Sequence, residues 1–166
     1  MKSITFRRTL LALLAPLFLT ATPLQAQVPA AGLPAQAVKL SGERFNADQL
    51  KGKVTMVFYW ATSCAVCRDS LPELRANLRG WRDKPFALLT VNVDKQAAEW
   101  KDYETIVAAT QKATPPGLIS VRQEGAVPFS GRLPVTLLLD AKGKVVARYE
   151  GRIAPEAWDG IADLLP

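Results

Sequence analysis

Val54-Thr55-Met56-Val57-Phe58-Tyr59-Trp60 is nearly all apolar and rich in β-formers. An unalternating run of this kind predicts a strand buried on both faces, at the centre of a helix-covered sheet. Phe86 to Val93 repeats the pattern, and Val135 to Leu139 does so again. Leu71, Leu74 and Leu78 recur at spacings of three and four, which predicts a helix from Cys64 to about Gly80, with a kink or displaced start at Pro72. Gln96 to Thr110 reads as a second helix with Trp100, Tyr103, Ile106 and Val107 on its inner side. Thr114-Pro115-Pro116-Gly117 ends it.

The remaining segments are shorter. Val38 to Leu40, the turn Ser41-Gly42-Glu43 and Arg44-Phe45 predict an N-terminal β-hairpin. Asp48 to Leu50 reads as a helical turn stopped by Gly52. Leu118 to Val121 is a short strand or an irregular piece, and Arg122 to Gly131 is a loop. Ala141 to Lys144 turns the chain into Val145 to Tyr149. Pro155 opens a last helix carrying Ala157, Trp158, Ile161 and Leu164. The order is β-α-β-α followed by a hairpin and a helix.

The first 26 residues belong to a different category. Lys2, Arg7 and Arg8 precede the apolar stretch Leu10 to Leu19, and Leu24-Gln25-Ala26 leads into Gln27. This is the layout of a secretory signal peptide, with cleavage expected after Ala26. The apolar stretch falls short of the ~20 residues that a spanning helix needs. Residues 27–35 form an extended, Pro/Ala-rich lead-in, and 36–166 form one domain. The chain carries a net charge of +6, and removing residues 1–26 takes away three basic and no acidic residues, leaving +3 on 140 residues. No Lys/Arg cluster is interleaved with aromatics, so no nucleic-acid partner is expected. Export implies the periplasm, an oxidising compartment.

The chemistry sits in Cys64 and Cys67, the two cysteines of the chain, spaced C-x-x-C where the first buried strand meets the first helix. A helix N-terminus favours negative charge, and so favours a thiolate. A disulfide across so short a loop removes little entropy from the unfolded chain and is a poor staple. A metal pair is a second possibility, but zinc takes four ligands and the sequence holds no His. Two thiolates alone could hold Cu(I).

Three stretches carry a resemblance. They are Leu50 to Val54 leading into Phe58-Tyr59-Trp60-Ala61-Thr62-Ser63-Cys64-Ala65-Val66-Cys67-Arg68, then Leu71-Pro72-Glu73-Leu74, then Leu133-Pro134-Val135 through Val145. Together, over about residues 36 to 164, the chain resembles the exported TlpA/ResA-like thiol-disulfide oxidoreductases. That resemblance implies an α/β, thioredoxin-like fold: a central mixed sheet flanked by helices, with the N-terminal hairpin as an extension. It implies Cys64 as attacking thiolate, Cys67 as resolving thiol, and Pro134 as a cis-proline facing them. Trp60, Leu133 and Pro134 would line the substrate site, where the backbone of Leu133 could pair with an extended segment. No cofactor or metal is expected beyond the Cys64–Cys67 couple itself.

The implied activity is reduction of protein disulfides. The implied partners are protein thiols or disulfides, apocytochrome c or a copper chaperone among them, with a membrane electron donor for rereduction. Two other readings remain: a disulfide-forming oxidant, and a non-catalytic module that binds a peptide or Cu(I). Only 67 residues separate Cys67 from Pro134, which leaves little room for the large helical insert of such oxidants. Peroxiredoxins share the fold, but Thr62 and Arg68 do not reproduce their peroxidatic motif. Two positions depart from the family pattern. Ser63 replaces a Trp before the first cysteine, and Ser70, beside Asp69, replaces a Glu after the second. The Ser63 hydroxyl is a candidate donor to the Cys64 sulfur, and Asp69 reads as a first-turn helix charge.

Overall fold

A computed structural model describes residues 32–111, 113–128 and 130–165. The expected signal segment 1–26 and the first part of the lead-in, 27–31, lie outside the described residues. The elements are β1 (Ala37–Lys39), a 3-10 turn (Ala47–Leu50), β2 (Val54–Trp60), α1 (Ala65–Gly80), β3 (Phe86–Asn92), α2 (Ala97–Thr110), β4 (Leu118–Gln123), β5 (Val135–Leu139), β6 (Val145–Glu150) and α3 (Ala157–Ala162).

The six strands form one mixed sheet in the order β1-β4-β3-β2-β5-β6. β2 pairs parallel with β3, and β3 parallel with β4. β5 runs antiparallel to β2 and to β6. All seven residues of β2 and all seven of β3 are buried, as the apolar runs predict. Alternation along the strands divides the core in two. Met56, Phe58, Trp60 and Leu88 face α1 (Cys67, Leu71, Leu74, Leu78), Trp100 of α2 and Ile161 of α3. Val57, Tyr59, Leu89 and Val91 face the other way, onto Leu33, Leu50 and Phe45. The three α-helices therefore contribute to one face, and the N-terminal segment with its 3-10 turn covers the other. The steps from β2 to β3 and from β3 to β4 proceed in the same direction across the sheet, so right-handed crossovers carry α1 and α2 to the same side.

Four expectations need correction. The N-terminal hairpin shrinks to one bridge, Val38 to Arg44, because β1 finds a longer antiparallel ladder with β4 (Ala37 to Gln123 through Lys39 to Val121). That ladder also extends β4 to Gln123, two residues past the expected end. Ile106 is 65% exposed rather than internal. It lies about 120° round the helix from Trp100, whereas Tyr103 and Val107 fall close to the Trp100 stripe. Leu164 lies beyond the end of α3 and is exposed. Pro72 is accommodated inside α1, which runs from Ala65 without an interruption.

The end of the lead-in is packed. Leu33 is buried, and the Tyr59 hydroxyl donates to the Gly32 carbonyl at 2.9 Å. Burial pushes the Tyr59 hydroxyl far above its ordinary range. The unfolded chain releases that proton near about pH 10 while the folded chain keeps it, so stability falls as pH rises above that point. Tyr59→Phe is expected to cost about 1 kcal/mol at neutral pH. It should also make the loss of stability between about pH 9 and 11 shallower. Urea unfolding across that range checks both.

Candidate functional site

β2 is held by β3 on one side and β5 on the other, so its C-terminal end is fixed before α1 begins. Cys64 is the N-cap of α1, in extended conformation, and its Sγ accepts from the Cys67 N–H at 3.2 Å. Cys64 and Cys67 form a disulfide, with Cα atoms 5.2 Å apart. The two sulfurs have unequal surroundings. Cys67 is fully buried in the helix-face core, while Cys64 packs against that core half-buried.

The Leu133–Pro134 bond is cis, as the resemblance implies. β5 begins one residue later, with Val135 opposite Tyr59. Continuing that register by one step sets Pro134 level with Trp60, at the same end of the sheet as the disulfide. The Pro134 carbonyl accepts from the Gly151 N–H at 2.9 Å, which ties the bend to the end of β6. Pro134 is buried, and Leu133 is half-buried and packs against both core clusters. Leu133, like Cys64, touches the helix-face cluster.

Trp60 requires a correction. It is fully buried and packs against Tyr103 of α2, with ring centroids 4.8 Å apart and the rings tilted by 60°. A side chain without exposed surface offers no face to a substrate, so Trp60 supports the site from beneath. Burial raises the Tyr103 hydroxyl above its ordinary range, with the guanidinium of buried Arg75 opposing that shift.

Three further residues hold the turn before Cys64, and sequence reasoning missed this role for all of them. The Asp94 carboxylate accepts the Thr62 N–H at 3.0 and 3.2 Å. Asn92 donates its side-chain amide to Asp94 at 2.7 Å and accepts the Asp94 N–H at 3.0 Å. Arg68 donates to the Thr62 carbonyl from the other side. The available signal was Asn92-Val93-Asp94, two polar residues closing an otherwise apolar strand. Glu73 was also missed. It accepts from Arg152 at 2.8 and 3.1 Å and from the Trp158 indole at 3.0 Å, and so joins α1 to the last helix.

Of the departures from the family pattern, Ser70 is buried and bonds back to the Val66 carbonyl at 2.8 Å. Asp69 is exposed and lies past the first turn of α1, so it is not the helix-end charge expected. Ser63 is exposed. Among the described residues no group of three or more His, Cys, Asp or Glu side chains is placed to hold a metal ion.

Comparison with known proteins gives a consistent picture. Residues 24–161 match the AhpC/TSA family. The thioredoxin-like protein YneN of Bacillus subtilis is 29% identical over 125 residues, covering 75% of this chain and 72% of that protein. The thiol-disulfide oxidoreductase ResA of Bacillus cereus is 25% identical over 127 residues, covering 73% of this chain and 68% of that protein. Among solved structures, the thioredoxin domain of a thiol-disulfide oxidoreductase from Bacteroides vulgatus superposes with a TM-score of 0.65 at 19% identity, over 83% of this chain and 97% of that domain. The thioredoxin fold is thereby shown.

The bond that reaches the Cys64 sulfur comes from the Cys67 amide, and the Ser63 side chain is exposed. Ser63→Ala is therefore expected to leave the thiolate titration of the reduced protein unchanged, as read by ultraviolet absorbance against pH.

Proposed function

The chain belongs to the AhpC/TSA family, and on that premise we propose that it is an exported thiol-disulfide oxidoreductase that reduces protein disulfides through Cys64 and Cys67. The observation that carries this reading is the asymmetry of the pair. One sulfur caps a helix within reach of solvent, and its partner is fully buried one turn later. That is the arrangement a nucleophile and a resolving thiol require. Attack needs access and a thiolate favoured by the helix N-terminus. Resolution needs a second thiol that meets only the first.

The cycle starts from the reduced pair. The Cys64 thiolate attacks one sulfur of a partner disulfide. That disulfide breaks, a mixed disulfide forms, and the other partner sulfur leaves as a thiolate that takes a proton from solvent. Cys67 then gives up its proton and attacks the Cys64 sulfur. The mixed disulfide breaks, the second partner thiol departs, and the Cys64–Cys67 bond forms. Two electrons pass to the partner, and a dithiol donor at the membrane restores the starting state. The names of the relatives YneN and ResA support this class of chemistry.

The partner is a protein. Val66 is apolar and about half exposed beside Cys64, which suits a docked polypeptide. The segment at Leu133, one residue before the cis-proline, would pair with an extended stretch of it. Apocytochrome c thiols or a copper-chaperone cysteine pair are the partners we propose, in the periplasm. The dipeptide between the cysteines, Ala65-Val66, has no charge or His to stabilise the thiolate beyond the helix, which favours a reducing couple.

Cys67→Ala is expected to accumulate mixed disulfides through Cys64 when reduced protein meets a disulfide-bonded substrate, as read by non-reducing electrophoresis and mass spectrometry. A non-catalytic binding module would hold its partner without a covalent species. Equilibration with glutathione is expected to place the couple well below the about −120 mV of a strong oxidant. A value near that limit would reverse the direction of the cycle.

A further inference from the structure

The turn that delivers Cys64 is bonded on both sides of Ser63. The Cys64 N–H donates to the Ala61 carbonyl at 3.1 Å, and the Cys64 carbonyl accepts from the Arg68 N–H at 3.1 Å. Between them, Thr62 meets a carboxylate at its N–H and a guanidinium at its carbonyl. Among the described residues Asp94 and Arg68 are the charged groups bonded to Thr62.

A backbone amide needs only an acceptor, and a neutral side chain of Ser or Asn supplies one. Asp94 brings a full negative charge instead. It is 7% exposed and bonded on its second side by the fully buried Asn92. A fixed anion bonded to the backbone two residues before the nucleophile opposes a second negative charge there. Arg68, directly after Cys67, has the opposite effect, weakened because the side chain is exposed and screened.

We infer that Asp94 and Arg68 are opposed positioning residues: they grip Thr62 from its two sides, hold Cys64 at the mouth of α1, and set with opposite signs how readily it carries negative charge. This rests on Cys64 being the nucleophile. A lower thiolate pKa stabilises the reduced form and makes the couple more oxidising. Asp94 therefore holds the protein toward the reducing side, and Arg68 pulls it back. Other charged or titratable groups on the elements that meet here include Asp69, Glu73 and the buried Arg75 on α1, Lys95 after β3, Tyr103 and Glu104 on α2, and Arg132 before Leu133. They are unchanged in the variants below.

The test uses Asp94→Asn, Arg68→Gln and the double variant. In each, the Cys64 thiolate is titrated in the reduced protein, the glutathione equilibrium is measured, and far-ultraviolet circular dichroism reports the fold. Asp94→Asn is expected to lower the Cys64 pKa by about one unit and shift the equilibrium toward the dithiol by up to about tenfold. Arg68→Gln should move both quantities the other way by less, and the double variant should fall between. A loop brace without an electrostatic role would lose stability with no change in the titration, or would shift both variants in the same direction; either result overturns the inference. Should Asp94→Asn not fold, the exposed Arg68→Gln still decides, since an unmoved or lowered pKa there overturns it. A wild-type protein with no thiol-disulfide transition would remove the oxidoreductase reading itself. That result differs from a wild-type transition that neither variant displaces.

Discussion

Everything at the site depends on β2 being buried on both faces. A strand with Val57 and Tyr59 in one core and Met56, Phe58 and Trp60 in the other has no freedom to slip. A one-residue shift would exchange the two sets. Its C-terminal end therefore stands at a fixed height, level with the cis-proline of the neighbouring strand. The chain then turns at once into α1, whose own apolar face (Cys67, Leu71, Leu74, Leu78) must meet the same core. Cys67 is inside because it begins that apolar stripe. Cys64, one turn earlier and before the helix proper, stays at the edge.

This explains why the fold and the cysteine pair were legible in the sequence. The buried strands announce themselves by unbroken apolar runs, and the C-x-x-C sits where the first of them meets a helical period. The cis bond between Leu133 and Pro134 was not legible from residue type. A proline does not declare its isomer, and the three quoted stretches taken together supplied that reading. Trp60 illustrates the converse error. An aromatic next to a reactive motif invites a substrate role, yet as the last residue of an internal strand it is buried by Tyr103 from an element forty residues on.

What the sequence hid is non-local. β1 was read with its nearest neighbour, Arg44-Phe45, because short hairpins are local, but the longer ladder lies with β4 more than eighty residues away. Asn92 and Asp94 carry no pattern in the sequence that sets them apart as holders of the turn. The bonds of Asp94 to Thr62 cross from one strand end to another, and only the parallel pairing of β2 with β3 brings those ends together. Glu73 likewise lay inside a recognised stretch, while its partners Arg152 and Trp158 come from the far end of the chain. Local periodicity carries none of these contacts.

The bond from Tyr59 to the Gly32 carbonyl also pins the start of the described chain to one side of the sheet. Gly32 and Leu33 sit on the sheet face that carries no α-helix, since Leu33 belongs to the core on that side. Cys64 packs with the helices on the opposite side. The start of the described chain and the reactive sulfur thus stand on opposite faces of one sheet, and packing at the first leaves the second untouched.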